Sequence, residues 1–559
     1  MTLTGGPRPP AYGPAPKTPR FRRSITGIDR KRNASSATSP FRRSITGYER
    51  KRNASSSNGR PNGARWAFFM FVVAGLAGST LSAHVARGGP LLAVRWWLSA
   101  ELVAWAVAWV VAVVSAFRLP RRAALPLIFG VAVALRMAAL AGPPTTTDDF
   151  YRYSWDGRVQ AAGISPYEYT PSSPSLAHLR ESWLWPRERP CPLAYRPDAC
   201  TRINRPAVHT IYPPVAEAWF AGIYGLTGIE ARWKPWQVAG LLTDVAVVAL
   251  LAVALRRSGK DPRWCALYAL CPAPVLEMVN NAHVDGLAIL LSLAAFVVAK
   301  GSAAVSPEEA ERRPGADGAT SCAPRTLTSV DAMAAQPVVV SRRCHLVAGG
   351  LVGLAALVKL YPALLVLAFV AAAPGRRSRC LMRIGGAATV VITVGYLPHL
   401  LRVGTKVVGF LPGYLREEHY DGAGRYLVAG GLRVPGGMAA AVSALALVGA
   451  AVWVWRRRPS APQGAAVLMG TLLLAASPVQ PWYAVTLLAF ATLAAEPKWV
   501  AVVLAGYPYF FAVILLHPQR TGIGQLAYGL AAATIAAVAL LRVRRARPPS
   551  MERCPPKGC

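Results

Sequence analysis

Asp148 and Asp149 stand side by side in TTTDDFYRYSWDGRVQAAGISPYEY, residues 145–169, directly after an apolar run at 123–141. A run of that length can cross a bilayer, whose hydrocarbon core takes about 20 residues of helix. The two carboxylates therefore lie where a transmembrane helix meets water. Arg152, Asp156 and Arg158 follow within a few residues, interleaved with Phe150, Tyr151, Tyr153 and Trp155. An interfacial belt would account for the aromatics. Acids and guanidiniums among them suit a polar, hydroxyl-rich, anionic ligand held at the membrane surface. Adjacent carboxylates oppose double ionisation, which raises the pKa of one of them. That one can act as a general base, worth about 10²–10⁴ in rate. The pair can instead hold a divalent cation; otherwise the residues imply no cofactor.

The elements that must position this stretch follow from composition. The chain has 559 residues, 53% hydrophobic and 16% charged, against about 25% charged in soluble domains, and its mean hydropathy is +0.32. Apolar residues cluster into runs of spanning length, so the chain is an all-α polytopic membrane protein. The net charge of +36 does not indicate nucleic acid. Basic residues concentrate in the N-terminal tail and in short loops, as retention of positive charge on the cytoplasmic side requires.

Residues 1–65 hold fifteen Lys or Arg against two acids and read as a disordered basic cytoplasmic tail. Within it FRRSITGIDRKRNASS (21–36) recurs as FRRSITGYERKRNASS (41–56), a local duplication on a polybasic surface suited to anionic lipid. Residues 66–541 form the membrane domain. Starting with the tail inside, spans fall at about 66–86, 97–117 and 123–141, which leaves residues 142–236 as a large extracytoplasmic loop. In that loop 215–226 is an interfacial or re-entrant helix, and Cys191 and Cys200 can pair in an oxidising compartment.

Further spans are expected at 238–255, 264–281, 284–299, 345–358, 360–373, 383–400, 436–455, 463–478, 482–495, 498–516 and 522–541. The insert 300–343 reads as a disordered cytoplasmic linker and 542–559 as a cytoplasmic tail. This gives roughly 14 transmembrane helices in a plasma-membrane protein, with both termini cytoplasmic.

Charge alone sets this threading, yet it places the unusual polar motifs together on the outer side. They are Asp148 and Asp149, NNAHVDG (280–286), KLYP (359–362), GFLPGYLREEHYDGAGRY (409–426), SPVQPWY (477–483) and HPQR (517–520). Ionisable groups at membrane depth are costly and mark functional cavities; His283, Asp285 and Lys359 are such groups. Taken singly, His283 could be an interhelical hydrogen-bonding residue and Lys359 a snorkelling cation.

The segments DDFYRYSWDGRVQAAGISPYEY, INRPAVHTIYPPVAEAWF (203–220), PAPVLEMVNNAHVDGL (272–287), LVKLYPALL (357–365), FLPGYLREEHYDGAGR (410–425) and SPVQPWY together resemble a known family. It is that of the bacterial polyprenol-phosphate-mannose-dependent mannosyltransferases, glycosyltransferase family 87, of the C-type membrane glycosyltransferase superfamily. The resemblance runs from about 120 to 530 and leaves out the repeated tail and the 300–343 insert. It implies a C-type glycosyltransferase-like fold and a mannosyl donor. The acidic residue that the superfamily carries at the outer end of an early helix falls here on Asp148 or Asp149, after the third span rather than the first.

The chemistry also follows from the residues. An outward-facing transferase has no access to cytoplasmic nucleotide sugars, and no Gly-rich phosphate loop is present to bind one. A polyprenyl-phosphate-linked sugar donor solves this, with a lipid or glycan acceptor of the envelope. Asp148 or Asp149 is the base, with Asp148 favoured as nearer the helix end. Arg152, Arg205, His283 and Lys359 are candidates for the departing phosphate. Tyr153, Trp155, Trp482 and Tyr483 can stack on sugar faces, and Asp156, Asp285, Glu417 and Glu418 complete the candidate sugar or acceptor site. With no dedicated second nucleophile, one displacement inverts the anomeric carbon. A transporter or flippase of lipid-linked sugars is the rival reading. It would show repeats and interrupted helices, which the sequence does not display.

Overall fold

In the computed structural model the described residues are 61–89, 91–188, 191, 200–228, 232–300, 341–420 and 425–546. The duplicated segment at 21–56, most of the 300–343 insert and the tail beyond 546 lie outside them. Among the described residues there are helices, turns and loops, and no strand. Among the described residues eight helices are long and apolar enough to cross a membrane, or nine if one bent pair counts as a span. The chain is a multi-pass membrane protein.

Three long helices open it: α1 (Pro61–Arg87), α2 (Leu91–Arg118) and α3 (Arg121–Ala138). Trp105 and Trp109 turn inward and are buried, whereas Leu76 and Val103 are each 65% exposed. Apolar side chains on both faces are what a bilayer-embedded helix requires, because lipid and protein interior are similarly apolar.

The segment between α3 and α6 follows. Helix α4 (Asp149–Ala161) packs on α5 (Pro214–Thr227). Gly157 makes the approach possible, since a Cβ there would lie 2.7 Å from the Phe220 carbonyl oxygen. Tyr153 stacks on Phe220 with centroids 4.3 Å apart, and Trp155 packs edge-on against Trp185. The expected Cys191–Cys200 disulfide is formed.

The remaining longer helices are α6 (Lys234–Arg257), α7 (Asp285–Ala299), α8 (Arg342–Ala356), α9 (Leu365–Ala372), α10 (Gly386–Val403), α11 (Leu411–Glu417), α12 (Gly436–Arg457), α13 (Ala461–Ala476), α14 (Tyr483–Ala494), α15 (Val500–Phe510) and α16 (Thr521–Ala546). Several expected spans are short here. Helices α8, α13 and α14, of 15, 16 and 12 residues, rise about 18–24 Å, less than the roughly 30 Å hydrocarbon core.

The expected crossings at 264–281 and 284–299 meet at a sharp break. Pro272 and Pro274 interrupt regular hydrogen bonding, a π-helical turn runs over Val275–Asn280, and Pro272–Asn280 meets Asp285–Ala299 at 117°. This break carries the NNAHVDG motif into the protein interior.

Candidate functional site

The site is built where the end of α3 meets that break. Asn280 and Asn281 clamp the segment before the aspartates. Asn280 Oδ1 accepts from the Thr145 amide at 3.0 Å and Asn281 Oδ1 from the Thr146 amide at 3.2 Å. Asn280 Nδ2 donates to the Ala139 carbonyl at 3.0 Å, tying the clamp to the end of α3. Ala282 holds φ +56°, a left-handed conformation uncommon outside glycine, and the chain turns there to present His283.

Asp148 precedes α4 and Asp149 is its first residue. Asn204 Nδ2 donates to both, at 3.0 Å to Asp148 Oδ1 and 2.7 Å to Asp149 Oδ1. Among the described residues no group of three or more His, Cys, Asp or Glu could hold a metal ion. Burial, then the Asp148 charge, push the Asp149 carboxyl up to about 6 against the pull of Lys359, the Asn204 bond and Arg205.

Beyond Asp149 lies a line of polar groups. His283 Nδ1 is 3.7 Å from Asp149 Oδ2 and its Nε2 is 3.7 Å from Glu277 Oε2. The imidazole stacks on Trp482 at 4.1 Å, and neither ring nitrogen has a hydrogen-bond partner. Glu277 accepts from Asn281 Nδ2 at 2.9 Å and from the Tyr507 hydroxyl at 3.2 Å. The two 3.7 Å spacings of His283 are longer than hydrogen bonds, as catalytic contacts often are without substrate.

Lys359 is the cation of the cluster. Its Nζ is 3.2 Å from Asp285 Oδ2 and lies over the rings of Tyr212 and Tyr483 at 5.3 and 5.5 Å, distances at which aromatic faces stabilise an ammonium. Arg205 flanks the site. It is paired with Glu417 at 2.6 Å and stands over Tyr414, whose hydroxyl is 3.4 Å from that of Tyr483. Glu418 is paired with buried Arg425 at 2.6 Å.

The structure thus brings Asp148, Asp149, His283, Asp285, Lys359, Trp482 and Tyr483 together, with Arg205, Glu417 and Glu418 at the edge. It places the others elsewhere. Arg152 is buried, its Nε 2.9 Å from both Asp156 oxygens. Asp156 neighbours Glu217, which accepts from Thr210 Oγ1 at 2.6 Å and Gln160 Nε2 at 2.9 Å. Burial raises Glu217 well above the usual carboxylate range, with the Asp156 charge adding to it. This network braces α4 against α5 and engages both Arg152 and Asp156. Tyr153 and Trp155 are each 1% exposed, so both rings pack into cores and offer no face to a sugar. His283 stands between two carboxylates, 3.7 Å from each.

Glu277, Asn204 and Asn281 escaped the sequence reading. Glu277 had a signal, as a lone acid in an apolar stretch. Arg136 and Asp244 had the same signal and form a separate ion pair at 2.6 Å with both side chains fully buried.

Comparison with known proteins bears on this geometry. Residues 326–478 match the model of glycosyltransferase family 87. The match supports a membrane glycosyltransferase, and it contains Lys359, Glu417 and Glu418 but neither the aspartates nor NNAHVDG. No curated protein matches significantly. Among solved structures, an oligosaccharyltransferase of Archaeoglobus fulgidus, tethered through a disulfide bond to an acceptor peptide containing the NVT sequon, overlays at TM-score 0.30 and 11% identity, over 74% of this chain and 54% of that one. So loose a likeness carries no argument about fold or activity.

Proposed function

We propose that the chain transfers a hexose, mannose by its resemblance, from a polyprenyl-phosphate donor to an envelope lipid or glycan, with inversion, on the extracytoplasmic face. The observation that carries this reading is the placement of Asp149, a carboxyl with pKa about 6, within the field of Lys359. Base and cation on one small site are what displacement of a sugar phosphate requires. The acceptor oxygen attacks C1, the C1–O bond to phosphate breaks, the hydroxyl proton passes to Asp149, and the phosphate leaves against Lys359. Asp149 suits the base, because His283 Nδ1 stands 3.7 Å from its Oδ2 and its carboxyl is pushed up to about 6.

The test is incubation of the purified protein with radiolabelled polyprenyl-phosphate mannose and an envelope lipid extract. Label should move to a new lipid or glycan. Recovery of all label in unchanged donor, under conditions where the donor binds, would defeat the reading. The bent pair around Asn280 and Asp285, with its buried charges, favours a transporter as second reading. Donor crossing sealed proteoliposomes without transfer would establish it instead.

A further inference from the structure

Nine arginines cluster where α8 begins and α12 ends: Arg342, Arg343, Arg376, Arg377, Arg379, Arg383, Arg456, Arg457 and Arg458. The π-helical turn Leu381–Gly385 packs on α8 and α9. The approach is close, since a Cβ at Gly349 of α8 would lie 2.4 Å from the Ile384 carbonyl oxygen. Arg377 reaches α12, donating from Nη2 to the Trp455 carbonyl at 2.6 Å and stacking 4.1 Å over that indole. Among the described residues the charge that acts on Arg377 is that of Arg458, and the one that acts on His345 is that of Arg383. Neither 341–416 nor 427–495 contains an Asp or Glu. From these arginines a groove of about 430 Å³ runs between α8, α9 and α10, with Val352, Val366, Leu381 and Ile392 in its wall. Thr389 is its one polar lining residue, and Leu381 is 50% exposed, so the groove opens toward lipid.

We propose that the groove and its arginines hold an anionic phospholipid of the bilayer, one acyl chain in the groove and the phosphate against Arg379 and Arg383. This lipid is not a substrate, and the proposal does not depend on the transferase reading. Charge complementarity decides the head. Guanidiniums crowded together without a carboxylate repel one another, and a phosphate relieves that repulsion through charge-assisted, bidentate bonds. Basic pockets between membrane helices recognise phosphate heads in this way. A zwitterionic head brings its own cation to the arginines and forfeits most of the gain. Length agrees with the chain. Leu381 to Ile392 rises about 16 Å, close to half of the roughly 30 Å hydrocarbon core and so to the depth of one leaflet. Position sets the donor aside. The donor must present its phosphate to Lys359, which lies past the far end of α8, about 20 Å from the arginines. Retention of positive charge accounts for arginines at this end, and not for an open groove beside them.

The experiment is native mass spectrometry of the full-length protein from micelles holding equal amounts of phosphatidylglycerol and phosphatidylcholine with identical chains. Phosphatidylglycerol should be retained about tenfold over phosphatidylcholine. Arg379→Gln combined with Arg383→Gln should bring the two lipids to parity. A Cβ at Gly386 would meet nothing within 4 Å, so Gly386→Phe can fill the groove while leaving every arginine in place, and it should abolish the retention. Thr389→Phe serves if that variant does not fold. Equal retention of the two lipids by the natural protein, or retention indifferent to the Phe variants, overturns the proposal. Full competition by glycerol phosphate, which has the head and no chains, would mean a soluble anion site and overturn it too. Displacement by an equal amount of polyprenyl phosphate would make the groove a donor site, with the same consequence. Retention needs no sugar transfer, so failure of the transferase reading leaves this proposal standing.

Discussion

His283 Nδ1 stands 3.7 Å from Asp149 Oδ2, and no second carboxylate or backbone carbonyl satisfies that nitrogen. The pair joins the start of α4 to the break before α7, since Asp149 begins α4 and His283 lies in that break. It also gives Asp149 a neighbour through which a proton can leave.

The two aspartates should therefore separate on mutation. Asp149→Asn should lower turnover about 10²-fold or more, with donor affinity little changed, while Asp148→Asn should cost less. A base must be ionised to act. With Asp149 at about 6, turnover should rise with pH through that value. Asp148→Asn removes a like charge and should move this limb to lower pH. Steady-state rates between pH 4.5 and 8, taken as rough bounds around that pKa, decide it. Equal, full activity of both variants would remove the base assignment. Loss of activity on chelation, restored by Mg²⁺ or Mn²⁺, would make the pair metal ligands instead.

Lys359 and His283 should fail differently. Lys359→Ala removes the cation proposed to hold phosphate and should raise the donor KM about tenfold or more. His283→Ala leaves that cation in place and should lower kcat with a smaller change in KM. Identical kinetic patterns would mean that the two act as one group.

The Arg136–Asp244 pair should matter for stability alone. Asp244 also accepts from the Tyr268 hydroxyl at 2.5 Å, and Arg136 donates to the Ala269 carbonyl at 2.7 Å. Asp244→Leu strands a buried guanidinium and should cost about 3–5 kcal/mol. Arg136→Leu combined with Asp244→Leu should recover much of that. Thermal unfolding in detergent reads both, and a double variant less stable than either single one would contradict the account.

Sidedness has its own test. A cysteine at Ser173 should react with a membrane-impermeant maleimide applied to intact cells. Protection of that position until the membrane is opened would place the outer segment, and the site with it, on the cytoplasmic side.

The sequence by itself determined that this chain lives in a membrane, because an apolar solvent demands apolar runs whatever they pack against. It also exposed Asp148, Asp149, His283, Asp285 and Lys359, since charge beside or within such runs is too costly to be incidental. Only tertiary structure decided which way the rest of α4 faces. Arg152, Tyr153, Trp155 and Asp156 share a helix with Asp149, yet Tyr153 packs on Phe220 of α5, Trp155 on Trp185 and Arg152 on Asp156, while Asp149 lies toward the break. The partners of the aspartate came from far along the chain, Asn204 55 residues away from Asp149 and His283 beyond a π-helical turn that hydropathy does not mark. A bend of 117° rather than a straight crossing aligned Glu277, His283 and Asp149. Bends and side-chain facing depend on packing between distant segments, which a one-dimensional pattern of polarity does not encode.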